Sequence, residues 1–488
     1  MKDGASGLLP PAHGRLPAWA VAELPAPPPY GLRNLLKVIG PGAVMAATSI
    51  GGGEWLVGPA VAVKYSTDIF LIATAAISLQ VVFNLEAIRY TLYTGEPIYG
   101  GIMRLWPGPR FWAGFYSVLG FFQLGWPALA GSAAATLLGA WMGRMPGAPD
   151  QGAISAVAVA LIAAVVLILS FGGTVERMLE RFAWTMLAVV FTFLVAVNVA
   201  FVPFAHWGHT FLGFFRFTGL PRPIDWTLIG ALAATAGSGG LGNLTVSNWV
   251  RDKGFGMAAL VGAIPSAVGG HALPLSRVGT VFEASGDNLG RWREWLRYLH
   301  ADQVWVWGLF CFVGMYLNVN LATALIPAGT DMQGLAAGAY QAEHLRRIWP
   351  GLWFLTLFNG FWILFKTQLG NTDVLVRTVA DAVWMASPRA AERQGIGRLY
   401  YGILVAFSVW AVVALRLASP FQLFKLLANM AGLVLAIAGV QVFLVNRRFL
   451  PRAVRPGAWR EAALLLCSAF YAFFAWFALR DAVRALWR

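Results

Sequence analysis

The stretch that decides the fold is GPGAVMAATSIGGGEWLVGPAVAV, residues 40–63. Its composition is that of a helix buried in lipid, yet it contains three consecutive glycines, Gly51 to Gly53, followed by the carboxyl group of Glu54. Each glycine inside a helix costs about 1 kcal/mol relative to alanine, so three together favour unwinding. An unwound segment in lipid leaves backbone N–H and C=O groups without partners, which is tolerated only beside a cavity or a ligand. The stretch therefore predicts a broken membrane helix at a binding site.

The composition of the whole chain places it in a lipid bilayer. Of its 488 residues, 58% are hydrophobic and 12% are charged, whereas about 25% of the residues of soluble domains are charged. Apolar runs of about 20 residues recur, each long enough to cross the bilayer as a helix. The predicted class is therefore an all-α integral membrane protein. Eleven spans are predicted, at residues 36–62, 69–94, 111–141, 152–172, 179–203, 226–248, 303–327, 350–376, 397–417, 420–445 and 459–480.

The distribution of basic residues predicts how these spans are oriented. The net charge of +14 comes from lysines and arginines that lie mostly in the short connections, so it indicates membrane topology and not nucleic-acid binding. With the N-terminus inside, the cytoplasmic segments hold about 24 of these residues and the outer segments about 11. An odd number of spans then puts the C-terminus outside. We expect a multi-pass protein of the inner (plasma) membrane with a cytoplasmic N-terminus, and its oligomeric state stays open.

Two segments lie outside the membrane domain proper. Residues 1–35 are rich in proline and alanine and are predicted to form a mobile cytoplasmic tail. Residues 249–302 form the longest connection within the membrane domain, 36–480, and contain KGFGMAALVGAIPSAVGG. That stretch is apolar, but it is too short and too rich in glycine and proline to cross the membrane twice. It predicts an interfacial or helix-capping element on the cytoplasmic side.

A second glycine-rich tract, AGSGGLGN from Ala236 to Asn243, interrupts span six. Glycines in membrane helices often only let neighbouring helices pack closely, and one tract alone fits that interpretation equally well. These two tracts, however, begin the first five spans (36–203) and the second five (226–445), with 459–480 as an extra helix. Because five is odd, the two halves have inverted topology. Glycine-interrupted helices at matching positions of inverted repeats are typical of the substrate site of a secondary transporter.

The predicted substrate-binding residues lie in or beside the two tracts. Backbone carbonyl groups would turn toward the solute, and each following half-helix would present its positive N-terminal end to it. A charge at this depth is costly unless it faces a cavity, so Glu54 is expected to bind a cation as a metal ligand, to carry a coupling proton, or to cap the half-helix. The set is Ser49, Gly51, Gly52, Gly53, Glu54, Ala236, Gly237, Ser238, Gly239 and Asn243.

At these residues the sequence resembles a known family. Residues 40–62 look like the first span of the Nramp divalent-metal transporters, which begins with Gly-Pro-Gly and breaks at Asp-Pro-Gly-Asn. YTLYTGEPIYGGIMRLW after span two and FGGTVERMLERF before span five are also similar to that family. The resemblance implies the LeuT-type fold of two inverted five-helix repeats plus an eleventh helix, N-in and C-out. It also implies alternating access and proton-coupled uptake of Mn²⁺ or Fe²⁺ in typical members.

The metal-binding residues of that family are missing here. Aligning the breaks puts Gly51 where the family has its metal-binding aspartate, and Glu54 where it has asparagine. In span six the family has Met-Pro-His, and this chain has Gly237, Ser238 and Gly239. A thioether favours softer transition metals. Its absence favours a hard cation held by carboxylate, hydroxyl and carbonyl oxygens, as expected for the Nramp-related magnesium transporters, which also lack the full motif.

Span eight carries polar residues that are candidates for coupling or gating: Lys366, Thr367 and Asn371. In LeuT-type folds this helix faces the broken first helix, and its hydroxyl groups help to form an ion site. Lys366 either extends to the cytoplasmic interface or reaches the break, where its ammonium replaces a coupling cation or pairs with Glu54. In the second case it would disfavour a divalent cation, because like charges repel.

Span two contributes Glu86 and Arg89, which are three residues apart and can pair on one helix face. They are either a structural pair or part of the coupling and gating machinery. Gln80 and Asn84 mark the same part of span two. Gln123 in span three either lines the path or forms an interhelical hydrogen bond.

Several functions are compared on this basis. The first is a secondary transporter of an inorganic cation, Mg²⁺ or Mn²⁺ first, with a proton as the candidate coupling ion. The second is a transporter of a small organic solute, an amino acid or amine, on the same fold. An intramembrane enzyme is not expected, because Ser238 would need a base and all six histidines lie outside the spans or at their edges. A channel is disfavoured because no ring of charges or filter repeat is visible. No cofactor is expected.

Overall fold

The computed structural model describes residues 14–171, 174–220, 223–268, 275–332, 336–416 and 420–486. The α-helices of the first half are α1 (Leu32–Val38), α2 (Pro41–Ser49), α3 (Gly58–Tyr65), α4 (Leu71–Thr94), α5 (Ile98–Arg104), α6 (Pro109–Leu124), α7 (Ala128–Met142), α8 (Gln151–Ser170), α9 (Val175–Phe201) and α10 (Phe204–Gly213). Those of the second half are α11 (Trp226–Thr235), α12 (Leu241–Lys253), α13 (Gly286–His300), α14 (Leu309–Leu325), α15 (Ala336–Arg346), α16 (Gly351–Ala386), α17 (Pro388–Ala414), α18 (Pro420–Phe449) and α19 (Ala458–Leu486).

Shorter elements connect these helices. Two strands, β1 (Ala20–Val21) and β2 (Thr280–Val281), pair in parallel. The π-helical segments Gly53–Val57 and Ala301–Gly308 continue directly into α3 and α14. The 3₁₀ turns are Thr67–Ile69, Ala148–Asp150, Gly256–Leu260 and Arg452–Val454.

All eleven predicted spans coincide with helical segments. By length and composition, eight helices of the described chain are long and apolar enough to cross a membrane. The remaining predicted spans are one and six, which the glycine tracts divide, and span eight, which is α16. The 36 residues of α16 include Lys366, Asp373, Arg377 and Asp381. The three predicted spans that do not meet these criteria of length and composition therefore all carry predicted site residues.

Helix α16 lies at the centre of the bundle. It packs against α2, α6, α7, α9, α12 and α17, and most of its residues are buried along the whole length. Its polar side chains therefore face other helices and not lipid. This position brings span eight against both broken helices, α2 of the first and α12 of the second.

The predicted third span is interrupted. Helix α6 ends at Leu124 and α7 begins at Ala128, with Gly125, Trp126 and Pro127 between them. Proline has no N–H group and its ring clashes with the preceding turn, so a helix does not continue through it undisturbed. Gln123 therefore lies one turn before a bend.

The prediction of a mobile tail is wrong for residues 15–30, which pack against the bundle. Trp19 and Leu24 are buried, and β1 pairs with β2 in the connection after span six. Trp295 Nε1 donates a 2.8 Å hydrogen bond to the carbonyl oxygen of Pro25. The proline-rich composition looked disordered because its partners lie far away in sequence; residues 1–13 lie outside the described chain. We call the end of the bundle that carries this segment the N-side, and the opposite end the far side.

The connection 249–302 is also more structured than predicted. The 3₁₀ turn Gly256–Leu260 packs against α4 and α12, and Met257 and Ile264 are fully buried. The interfacial or helix-capping role expected of this part stays a prediction. Helix α13 then runs without a loop through the segment Ala301–Gly308 into span seven. Residues 269–274 lie outside the described chain.

Candidate functional site

The first helix break follows α2. The backbone becomes extended at Ile50 (φ −65°, ψ 92°), and helical geometry resumes at Gly52, so the unwound part is shorter than the glycine tract. Two of the glycines are required by close packing. A Cβ atom at Gly51 would lie 2.6 Å from Thr367 Oγ1, and one at Gly52 would overlap the ring of Phe424. The tract thus lets α16 and α18 approach the break.

The second helix break lies between α11 and α12, at residues 236–240. Here the glycines are required by conformation, because Gly237, Gly239 and Gly240 have φ values of 98°, 66° and 67°. A side chain is strongly disfavoured in this left-handed region. The predicted interruption of span six is therefore present.

The two breaks meet in one site. Gly53 packs so closely on the carbonyl oxygen of Thr235, at the end of α11, that a Cβ atom would overlap it. The N–H group of Gly237 lies near the carboxyl group of Glu54 without forming a hydrogen bond to its Oε1 atom. The glycines of the first break and the unwound backbone of the second therefore enclose the same buried carboxyl group.

Glu54 is fully buried at this meeting point. Its Oε2 accepts a 2.7 Å hydrogen bond from the N–H group of Gly51. Its Oε1 has no hydrogen-bond partner among the described residues. A buried carboxyl oxygen without a partner is costly. The hydrogen bond to the first break thus uses only Oε2 of Glu54. Its Oε1 is available to a cation, a proton or a polar solute.

Lys366 reaches the first break. Its Nζ donates hydrogen bonds to the carbonyl oxygens of Ala47, at 2.8 Å, and of Ile50. The alternative in which Lys366 extends to the cytoplasmic interface is wrong, because its side chain is only 2% exposed. Thr367 Oγ1 adds a 3.2 Å hydrogen bond to the same Ile50 oxygen. Sequence could not separate the two alternatives, since the flexible stem of a lysine suits both.

Gln80 was not among the predicted site residues, yet its side chain forms hydrogen bonds with several backbone groups of the second break. Its Nε2 donates to the carbonyl oxygen of Ala236 at 2.9 Å. Its Oε1 accepts from the N–H groups of Ser238 at 3.0 Å and Gly239 at 3.2 Å, and from Asn243 Nδ2 at 3.1 Å. The only sequence signal was the presence of two amide residues, Gln80 and Asn84, in an otherwise apolar part of span two.

Gln123 supports the same break from α6. Its Oε1 accepts from the N–H group of Leu241 at 3.1 Å, and its Nε2 donates to the carbonyl oxygen of Gly239 at 3.2 Å. Ser238 Oγ and Asn243 Oδ1 stay without partners in the described chain. With Glu54 Oε1, they are the polar side-chain atoms of the two breaks that have no partner in the described chain.

Glu86 and Arg89 form a structural cluster away from the breaks. Arg89 Nε donates to Glu86 Oε2 at 2.6 Å, and Arg460 Nη1 donates to Glu86 Oε1 at 2.9 Å. The cluster fixes the N-side end of α4 to the start of α19. Its contacts favour the structural alternative of the two left open by the sequence.

Two other predicted residues have different surroundings. Ser49 Oγ donates to the carbonyl oxygen of Met45 at 2.6 Å and accepts from Trp307 Nε1 at 3.0 Å. It therefore links the end of α2 to the start of span seven. Asn371 is only half-buried, and it forms no hydrogen bond within the described chain.

On the N-side, a buried ion network joins α12 to α16. Arg377 Nε donates to Asp373 Oδ2 at 3.0 Å, and Arg377 also pairs with Asp252. Arg251 pairs with Asp252 at 2.8 Å and with Asp381 at 3.0 Å. All five side chains are at most 3% exposed. The network closes the N-side of the site by holding the second broken helix against α16.

On the far side, the indole of Trp55 closes the site. A Cβ atom at Gly338 in α15 would lie 2.5 Å from Trp55 Nε1, and one at Gly360 in α16 would lie 2.5 Å from Trp55 Cζ2. The indole thus packs between α15 and α16, directly against Gly338 and Gly360, and Trp55 is 1% exposed. With the ion network intact as well, the structure describes a state closed at both ends.

A cavity of about 830 Å³ lies beyond this closure, between α3, α10 and the ends of α11 and α14. His206, His209 and Asp225 are among its polar lining residues. Burial lowers the pKa of His206, and the neighbouring His209 lowers it further. None of the predicted binding or gating residues lines this cavity. In the described chain, no three or more His, Cys, Asp or Glu side chains form a group that could hold a metal ion.

No family model and no curated protein sequence matches the chain. Solved structures do match it. Two variants of the Eremococcus coleocola manganese transporter give TM-scores of 0.66 and 0.63 at 13% identity, over 96% of this chain and 91% of that chain. Mhp1, a nucleobase-cation-symport-1 family transporter in a closed conformation with bromovinylhydantoin bound, gives 0.55 at 14% identity, over 92% and 93%. At this identity the likeness shows the fold alone: the chain has the LeuT-type fold that the sequence predicted, with a distant structural relationship to the manganese transporter.

Proposed function

We propose that the chain is a secondary active transporter that works by alternating access, and a divergent relative of the Nramp transporters. The observation that carries the proposal is the meeting of two broken helices around the buried carboxyl group of Glu54. Broken helices that meet midway along a bundle are the binding architecture of such carriers. Trp55 on the far side and the Arg377 network on the N-side then act as alternating gates.

The first candidate substrate is an inorganic cation of the Mg²⁺ or Mn²⁺ class. Solved structures of a manganese transporter share the fold, and the free Oε1 of Glu54 is a hard oxygen ligand. Ser238 Oγ and Asn243 Oδ1 supply further unpartnered oxygens. With no thioether or imidazole at the breaks, such a site suits a hard, partly hydrated ion better than a soft one. A proton is the candidate coupling ion.

The second candidate substrate is a small organic solute, and one observation favours it. The ammonium group of Lys366 occupies the first break, where it would repel a divalent cation. Its charge balances that of Glu54. A zwitterion or a neutral polar solute would fit a site whose charges already cancel, and Mhp1, which shares the fold, has the organic compound bromovinylhydantoin bound.

We also propose the orientation in the membrane. The excess of lysines and arginines in the connections predicted to be cytoplasmic supports a cytoplasmic N-side; the N-terminus would then be cytoplasmic and the 830 Å³ cavity would open outward. The protein would be a multi-pass protein of the plasma membrane.

Transport into proteoliposomes tests the function. Purified protein would be reconstituted with a trapped Mn²⁺- or Mg²⁺-sensitive dye and a pH dye, with Glu54→Gln as the inactive variant and Arg346→Gln as the surface control. Saturable cation uptake that an inwardly directed proton gradient drives uphill, and that Glu54→Gln abolishes, supports the first candidate. Saturable uptake of a radiolabelled amino acid or amine, with no cation flux, supports the second. Absence of any saturable flux for either class contradicts the proposal.

A further inference from the structure

The unwound end of α2 presents backbone oxygens to a cation that belongs to the chain itself. Lys366 Nζ is hydrogen-bonded to the carbonyl oxygens of Ala47 and Ile50. Thr367 Oγ1 contacts the same Ile50 oxygen at 3.2 Å. Carbonyl and hydroxyl oxygens at the C-terminal end of a half-helix form a partial negative charge. They are also the ligands that hold Na⁺ at unwound backbone in membrane carriers.

The surroundings of Lys366 fit an ion site better than a simple hydrogen-bonding role. The first break contributes Glu54, whose carboxyl group interacts electrostatically with Lys366, and span seven contributes the thiol of Cys311. The ammonium is therefore the positive charge beside an acidic group at the break. Gly51 and Gly370 keep α16 close enough for this contact, because a Cβ at either position would meet the opposite segment at Thr367 or Thr48.

We propose that the Lys366 ammonium is a tethered cation that occupies the place of a dissociable alkali ion in the first break. The inference deepens the proposed transport function, in which a coupling ion would otherwise bind here. It follows that the native chain needs no alkali ion from solution to hold this break. It also follows that removing the ammonium leaves an empty oxygen site of the size and charge that an alkali ion fills.

Thermal unfolding of the detergent-solubilised chain tests this inference. Tm would be measured in LiCl, NaCl, KCl and choline chloride at equal ionic strength. We expect the wild type to unfold at the same temperature in all four salts. We expect Lys366→Ala to unfold about 2–4 °C higher in Li⁺, Na⁺ or K⁺ than in choline, since an ion that binds only the native state stabilises it. The double variant Lys366→Ala with Thr367→Val should lose that gain.

Lys64→Ala is the matched control, because Lys64 is a half-buried lysine whose partner is Asp331 on the far side; it should respond to no alkali ion. Alkali-specific stabilisation of the wild type would overturn the inference, and so would a folded Lys366→Ala that responds to none of the three ions. If Lys366→Ala does not fold, Lys366→Met keeps the volume of the stem and takes its place. If neither variant folds in any of the salts, the inference is also overturned, because a free alkali ion should replace the ammonium group and restore the break. Since no transport is measured, failure here is distinguishable from failure of the proposed function.

Discussion

The side-chain amide of Gln80 donates a 2.9 Å hydrogen bond to the carbonyl oxygen of Ala236, across 156 positions of sequence. The same amide accepts from two N–H groups of the second break. A single side chain of α4 therefore supplies partners for one carbonyl group and two N–H groups of the second break, and Gln123 supplies two more. Without Gln80, this break would hold several buried polar groups with no partner.

We predict that Gln80→Leu lowers the stability of the fold by about 2–3 kcal/mol, because several buried backbone groups lose their partner. The measurement is Tm in detergent by tryptophan fluorescence. Asn359→Leu is the matched control: Asn359 is also a buried amide in a span, but neither amide atom has a partner in the described chain, so its loss should leave Tm unchanged or raise it. Equal Tm values for wild type and Gln80→Leu would contradict the prediction.

A second prediction concerns the contact between the two breaks. Gly53→Ala places a methyl group against the carbonyl oxygen of Thr235, which is backbone and cannot move aside. Overpacking of this kind costs about 1–3 kcal/mol, and the breaks would be pushed apart. Gly114→Ala is the control, since a Cβ there meets nothing within 4 Å and alanine is the better helix former. A Gly53→Ala protein as stable as Gly114→Ala, with wild-type flux, would show that the breaks do not meet in this way.

A third prediction concerns the buried ion network on the N-side. Arg377→Gln removes the cation of the buried Asp373 and one of the two cations, the other being Arg251, that pair with the buried Asp252, and such losses cost about 3–5 kcal/mol. Arg346→Gln is the comparison, because Arg346 and its partner Glu343 are 43% and 44% exposed, and exposed pairs contribute little. Tm should fall strongly in the first variant and hardly in the second. Similar Tm changes in both would mean that the network does not hold α12 to α16.

The sequence predicted the fold because its signals are local. Apolar runs and glycine tracts can be recognised from neighbouring residues, and the two tracts at Gly51 and Gly237 also revealed the inverted repeats. The role of Gln80 could not be predicted in the same way. Its partners become neighbours only when α4 packs on the second break, and nothing near Gln80 in sequence reports that contact.

The position of Lys366 and the order of the N-terminal segment were hidden for a related reason. A lysine stem reaches either the interface or the break, and only the close packing at Gly51 and Gly370 decides between them. Residues 14–30 have a disordered composition, but Trp19 stacks under the Arg104 guanidinium at 4.1 Å. In both cases the observed position depends on packing between residues that are far apart in sequence, and local composition does not report such packing.

A last prediction uses a native cysteine to report opening of the far-side gate. Cys311 is fully buried near Glu54 and Lys366, so a thiol reagent reaches it only when the site opens. In a Cys467→Ser background, Trp55→Ala removes the indole seated on Gly338 and Gly360. We expect maleimide labelling of Cys311 to become about tenfold faster, which corresponds to about 1.4 kcal/mol less favourable closure.

The control for this experiment is Trp353→Ala. Trp353 is 7% exposed and packs in a separate cluster with Ala342 and Leu357 between the same two helices, so its removal creates a comparable void away from the gate. A second control follows Cys467 in a Cys311→Ser background, where general loosening would also accelerate labelling. Faster labelling of Cys311 in Trp55→Ala alone supports a gate at Trp55. Equal labelling rates of Cys311 in the two tryptophan variants would mean that lost packing causes the effect. That outcome would contradict a gate at Trp55.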